Sequence, residues 1–292
     1  MIKSMTGYGK GEAASDRGTF TVEIRSVNHR YGEVSVRMPR GFMALESDVK
    51  RAVLFLIKRG KIDVFIQWEE AMAGQSLPQV DTTLARAYFT TFNHLAGELG
   101  LLGQVPLSLV IAQKGVLRES SVTFEEEDYR DQLMSAVQTA VTALDAMRTR
   151  EGEALAVDLS ARRDQVAEWT ALIRERTPVV VVEYRQKLKT RLEQLLEGAE
   201  MDEARLAQEV ALMADRCDVT EELVRLASHF AQFDEALRLP EPVGRKLDFL
   251  MQEMNREVNT IGSKSSDAEI TSLVIRVKAE MEKMREQVQN VE

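Results

Sequence analysis

The hydrophobic period divides this chain in two. Before residue 72 apolar and polar residues alternate at period two in three stretches around one helical segment, and after residue 81 they recur at helical spacing to the end. Strands and helices turn their side chains inward at different repeats, so the two stretches cannot build the same kind of element. The expected fold class is α+β, an N-terminal β-rich domain with a mainly helical body of long helical hairpins and a C-terminal helical bundle. The expected divisions are 1–72, 81–197 and 198–292.

Thr19 to Val27 and Glu33 to Met38 alternate cleanly, and Ile62 to Trp68 less regularly. Between the last two, Ala44 to Lys58 places Leu45, Val49, Val53 and Leu56 on one helix face and stops before Gly60, which suits a left-handed helix end. Ala73 to Pro78 reads as a loop, and Asp81 as the cap of a helix bearing Leu84, Tyr88, Phe92 and Leu95. Tyr129 to Leu196 reads as two long helices interrupted near Pro178, the arms of an extended hairpin whose charge leaves only a narrow buried stripe. After Gly198 comes a helical stretch from Ala204 to Leu239, then the break Pro240-Glu-Pro242, then two more helices, the last capped by Ser266 with Glu269.

Composition excludes several classes of protein. No apolar run approaches the roughly twenty residues of a membrane span, and the start Met-Ile-Lys-Ser-Met-Thr-Gly-Tyr has no hydrophobic signal region, so no membrane and a cytoplasmic location are expected. A single cysteine, Cys217, excludes an internal disulfide and a cysteine-based zinc site, and it reads as a small buried thiol. The net charge of −9 argues against a chain that coats nucleic acid. The acidity is confined, however: residues 71–243 hold 18 Lys and Arg against 29 Asp and Glu, whereas residues 1–70 hold 12 against 9. An anionic ligand is thus drawn to a surface built from the two ends of the chain.

The helix from Gly244 to Ser266 carries the strongest functional signal. Leu247, Leu250, Met251, Met254, Val258 and Ile261 occupy roughly one third of its circumference, a complete buried stripe. Asp248, Gln252, Asn255 and Asn259 line one flank, with Glu253, Arg256, Glu257 and Thr260 on the other. Asn is a poor helix former, so its recurrence on one flank points to hydrogen-bonding work. The preceding segment mirrors this arrangement: Asp218, Glu222, Arg225 and His229 form a ridge beside an apolar stripe of Val219, Leu223, Leu226, Phe230 and Phe233. The short connection between the two allows an antiparallel pair whose ridges converge on one groove.

Carboxylates, arginines and a histidine in one groove suit phosphodiester cleavage. A divalent cation, Mn2+ or Mg2+, held by Asp218, Glu222, Glu253 or Glu257 neutralises phosphate and activates a nucleophile. His229 is a ligand or a general acid or base, and Glu253 and Glu257 share the catalytic role. Arg225 and Arg256 are suited to clamp phosphate oxygens, and Lys264, before the last helix start, to meet a phosphate. Bland readings exist for each: Asp218 with Glu221 is also a capping box, and Glu253 and Glu257 also suit salt bridges between subunits. At the other end, Arg25, Asn28, His29, Arg30 and Tyr31 leave a strand into a turn, and Arg59-Gly-Lys61 offers a second basic turn; both suit single-stranded RNA.

Five blocks, in order, carry a resemblance: Ser4-Met-Thr-Gly-Tyr-Gly9, Glu23 to Tyr31, Arg59-Gly-Lys61, Arg150-Glu-Gly152 and Gly244 to Ser265. Together they resemble the YicC/YloC family of bacterial proteins across essentially the whole chain, least in residues 71–130. The resemblance implies a metal-dependent endoribonuclease acting on single-stranded RNA, a ring-like homo-hexamer, a role in turnover of small regulatory RNA, and other RNA-degradation proteins as partners. Two other readings stay open, a non-catalytic RNA-binding adaptor that delivers RNA to another nuclease, and a structural helical ring without RNA affinity. Within the enzyme reading, the nucleophile is either metal-activated water or the RNA 2′-hydroxyl assisted by His229.

Overall fold

The computed structural model describes residues 2–29, 31–71, 79–101, 103–118, 126–196, 201–239 and 241–292. It is an α+β molecule with a four-stranded sheet at one end. Strands β1 (Gly7–Ser15), β2 (Gly18–Val27), β3 (Gly32–Arg37) and β4 (Gly60–Glu70) lie in the order β1-β2-β4-β3. The first three neighbours pair antiparallel, and β3 runs parallel to β4. That parallel pair needs a crossover, supplied by a 3-10 turn over Arg40–Leu45 and helix α1 (Glu46–Leu56). Gly60 does adopt a positive φ of 111°, but as the first residue of β4 and not as a helix end, since α1 stops at Leu56.

Strand β1 was not visible in the alternation because its inward positions are glycines. Gly7, Gly9 and Gly11 share a face with Ile24 and Val22 of β2, and that face lies directly on helix α4 (Glu126–Leu195). A Cβ on Gly9 would overlap the Ala140 carbonyl and lie 2.6 Å from the Leu144 amide nitrogen; one on Gly11 would overlap the Ala136 carbonyl. Two residues of strand advance about 6.8 Å and four residues of helix about 6 Å, so alternate glycines register with successive turns of α4.

α4 is a single helix of 70 residues, not the hairpin expected from Pro178, which lies inside it. Pro removes one helical hydrogen bond and disfavours helix in the residue before it. Here tertiary contacts hold both sides. Ile173 is buried in the core, and the Arg176 guanidinium grips Glu183, one turn beyond the proline, and Asp267 of the last helix. α4 thereby serves two cores. Tyr129, Leu133, Val137 and Leu144 pack with the sheet, and Leu159, Val166 and Ile173 with the C-terminal helices.

Between them, residues 79–118 form strands β5 (Gln79–Val80) and β6 (Leu117–Arg118) and helices α2 (Thr82–Glu98) and α3 (Leu107–Ile111). Asp81 caps α2 as expected, accepting from the Leu84 amide. The expected loop at 73–78, together with Gly198 and Pro240, lies outside the described residues. The stretch Ala204 to Leu239 is not one helix. It divides into α5 (Glu203–Arg216) and α6 (Thr220–Arg238), with Cys217 buried at the joint. α7 (Gly244–Lys264) buries all six residues of its predicted stripe, and α8 (Ala268–Val288) completes the bundle.

The cap of α8 is Asp267, not Ser266. Its carboxylate accepts from the amides of Glu269 and Ile270 and from Arg176 at 2.9 Å. The Arg176 guanidinium, reinforced by the capping amides and opposed by burial, holds the Asp267 carboxyl below the usual carboxylate range. A depressed carboxyl stabilises the fold above its unfolded-state pKa, and that contribution disappears as pH falls through the folded value. Asp267→Asn keeps a capping oxygen but loses the charge. It is expected to cost about 2 kcal/mol at pH 7, with the gap to wild type closing in urea melts below about pH 4. A gap that stays constant into strong acid would show that Arg176 does not depend on this charge.

The two ends of the chain are stitched together. Backbone bonds run from the Lys3 amide to Glu292 O (3.1 Å), from the Glu292 amide to Lys3 O (2.8 Å) and from the Met5 amide to Asn290 O (2.8 Å). Arg148 of α4, fully buried, donates to Ser4 O at 2.6 Å and pairs with the Glu292 carboxylate. This clamp sets the ends of β2 and β4 against α7 and α8.

Candidate active site

α6 and α7 pack as the antiparallel pair expected from their stripes. Lys264 at the end of α7 meets Glu222 at the start of α6 (2.7 Å), and Arg225 lies 3.7 Å from Glu257. The ridges therefore do converge, and their carboxylates are more deeply placed than solvated ridges would be. Glu222 and Glu257 are only 5% and 4% exposed. Buried carboxylates are costly unless paired, and each of these two faces a cation from the opposite helix. Glu222 Oε2 and His229 Nδ1 are buried and have no hydrogen-bond partner among the described residues.

Other expected members sit at the margins. Asp218 precedes α6 without being its cap, which is Val219; its carboxylate accepts from the Thr220 amide at 2.9 Å. Its carboxyl lies below the usual range because the Thr220 hydroxyl and amide bond it, with Lys264 adding an attractive charge. Lys264 is the last residue of α7, not part of a loop, and its ammonium is engaged by Glu222 and by the Asp218 carbonyl at 2.9 Å. This pairing stands where a phosphate contact was expected. Glu253 is partly exposed and 4.0 Å from Arg256, which itself lines a groove toward α8.

The N-terminal candidates separate. Arg25 lies on the open face of the sheet, 3.5 Å from Glu23 and against the Tyr8 and Phe65 rings. Lys61 is exposed, opposite Val27 on the same face. The His29 ring accepts from the Tyr31 amide at 3.4 Å. Asn28 donates to Gln289 O at 2.7 Å, and Arg59 lies beside α7 and α8. Arg30 lies outside the described residues. Among the described residues, no three His, Cys, Asp or Glu side chains gather as a metal site, and no helix is long and apolar enough to cross a membrane.

Two carboxylates could supply a divalent cation with only part of its shell. Mg2+ beside a phosphate substrate is commonly held by one or two carboxylates, with the remaining positions taken by water and phosphate oxygens. Glu222, with one oxygen unbonded, and Glu257 suit that role. The Lys264–Glu222 contact is testable as a structural pair. Lys264→Met is expected to cost about 2 kcal/mol, less than the ~3–5 of a fully enclosed pair because Lys264 is one-third exposed. Adding Glu222→Leu should recover most of that loss in urea denaturation. If the double variant is no more stable than Lys264→Met alone, the pair does not carry the effect.

Residues 2–157 match the family described as "Endoribonuclease YicC-like, N-terminal region", and residues 173–292 match "Endoribonuclease YicC-like, C-terminal". The chain is 38% identical over 293 residues to the "Probable endoribonuclease YicC" of Clostridioides difficile, covering 100% of both chains. It is 36% identical over 295 residues to the protein of the same description from Haemophilus influenzae, again with 100% of both covered.

Proposed function

Because the chain belongs to the YicC-like endoribonuclease family, we propose that it is an endoribonuclease that cuts single-stranded RNA in the α6–α7 groove with a divalent cation. The observation that carries this reading is the pair of buried carboxylates, Glu222 and Glu257, on facing helices, each set against a cation. Glu222 and Glu257 would hold the metal, Mn2+ or Mg2+, which would supply charge to a phosphate oxygen and acidify a bound water. Arg225, half-exposed at the groove, turns toward a phosphate while Glu221 and Glu257 orient it. His229, its Nδ1 lacking a partner among the described residues, accepts or returns a proton.

The remaining parts of the proposal have narrower support. Assembly into a homo-hexamer gives the exposed apolar side chains Val157, Val182 and Leu195 of α4 a surface to cover. A role in small regulatory RNA turnover, alongside other RNA-degradation proteins, rests on the resemblance alone. One observation favours the adaptor reading: both buried carboxylates already have cationic partners within the chain.

The deciding experiment is cleavage of an end-labelled single-stranded RNA by highly purified protein with Mn2+, Mg2+ or EDTA. Cutting that needs metal supports the enzyme, and binding without cutting in every metal supports the adaptor. A 2′-deoxy residue at the cleavage site stops the reaction only if the 2′-hydroxyl is the nucleophile.

A further inference from the structure

On the other flank of α7, away from the buried carboxylates, two cavities adjoin through Arg285 of α8. The first, about 310 Å3, lies where the sheet end meets the start of α7 and the end of α8, and three guanidiniums line it: Arg59, Arg245 and Arg285. Arg59 Nε is buried without a hydrogen-bond partner among the described residues. Neither Arg59 nor Arg245 forms an ion pair among the described residues, and Arg285 comes only within 3.7 Å of Glu282. Asp248 is the one carboxylate in this lining, bonded by the Gln252 amide at 3.0 Å, so positive charge prevails locally in a chain of net charge −9. α7 begins here with no side-chain cap and no acidic residue in its first turn, leaving its amides and partial positive charge to the cavity.

The second cavity, about 410 Å3, continues along α7 past Gln252, Asn255, Arg256 and Asn259. Gln252, Asn255 and Asn259 are the amides whose recurrence the sequence left without a partner. They are now bonded only to neighbours one turn away, Asn259 Nδ2 to Asn255 Oδ1 at 3.0 Å. Such exposed contacts exchange readily for others. An amide matches the mixed donor and acceptor edge of a base, and a guanidinium plane offers a stacking surface.

We infer that this flank is a single-stranded RNA track: Arg59, Arg245 and Arg285 hold a backbone phosphate, and Gln252, Asn255 and Asn259 read the bases next to it. The inference rests on the reading that RNA is the substrate, and it places RNA on a surface separate from the cleavage groove. From Arg245 to Asn259 the helix rises about 21 Å, long enough for several nucleotides.

The test is fluorescence anisotropy of a short labelled single-stranded RNA with the full chain in EDTA, over a series of salt concentrations. The variants are Arg245→Gln, Arg285→Gln, their double, and Asn255→Ala with Asn259→Ala; all four positions are exposed or partly exposed, so unchanged thermal midpoints are expected. Each Arg variant should weaken binding at least fivefold and flatten the log–log salt slope by about 0.7. The Asn pair should keep the slope and change the ranking among homopolymer RNAs. Unchanged affinity in the double Arg variant overturns the track, even if wild type cuts RNA. Conversely, binding that depends on these arginines without cleavage in any metal leaves the track standing and removes the nuclease reading. Absence of RNA binding by wild type overturns the track, and absence of cleavage in every metal as well overturns the nuclease reading.

Discussion

Glu257→Gln is expected to reduce RNA cleavage by about 100-fold or more while leaving RNA affinity in EDTA and the urea midpoint close to wild type. The substitution keeps the volume and an acceptor oxygen 3.7 Å from Arg225, and Arg225 retains Glu221 as its partner. Packing therefore changes little, whereas a neutral amide neither holds a divalent cation nor takes a proton. Losses of that size are typical when a residue active in the transition state is removed. Glu253→Gln, one turn away and partly exposed, separates the two carboxylates named from the sequence. If both variants cut RNA at the wild-type rate, the groove is not the catalytic centre, although family membership stands.

Gly9→Ala should destabilise the fold by about 3 kcal/mol or more, seen as a large drop in the urea midpoint or as insoluble protein. The added methyl would collide with main chain, the Ala140 carbonyl and the Leu144 amide, and not with a side chain able to swing aside. Relief would require β1 to lift from α4, exposing Val22, Ile24 and Leu144 together. Gly97→Ala is the control. It lies within α2 with no atom near its Cβ position, so the same change there should stabilise by about 0.5 kcal/mol. A Gly9 variant as stable as wild type would mean that the strand does not lie on the helix as described.

The blocks that carried the family resemblance have unequal roles. Several of them are scaffold. Thr6 donates to Glu151, Lys3 pairs with Asp145 at 2.6 Å, and a Cβ on Gly152 would overlap Ile2 O, so the Ser4 to Gly9 and Arg150 to Gly152 blocks hold each other. Nothing in their composition distinguished such a clamp from a binding site. Arg285 gave no sequence signal, because one arginine on a charged helix shows nothing of the cavity it shares with Arg59 and Arg245. Arg148 was equally hidden among the many charges of α4, although it is the largest fully buried side chain among the described residues.

Features set within a few residues were legible. The period of two predicted β2, β3 and β4, the six-residue stripe of α7 is buried throughout, and Asp81 caps α2. Periodicity and capping are determined by neighbours three or four positions apart, which a linear sequence displays directly. Tertiary structure alone decided the rest: that α4 continues through Pro178, that Lys264 meets Glu222 from 42 positions away, and that Asn28 reaches Gln289 from 261 positions away. Those outcomes depend on how whole faces pack. A charged side chain carries no local mark of the partner that packing will bring to it.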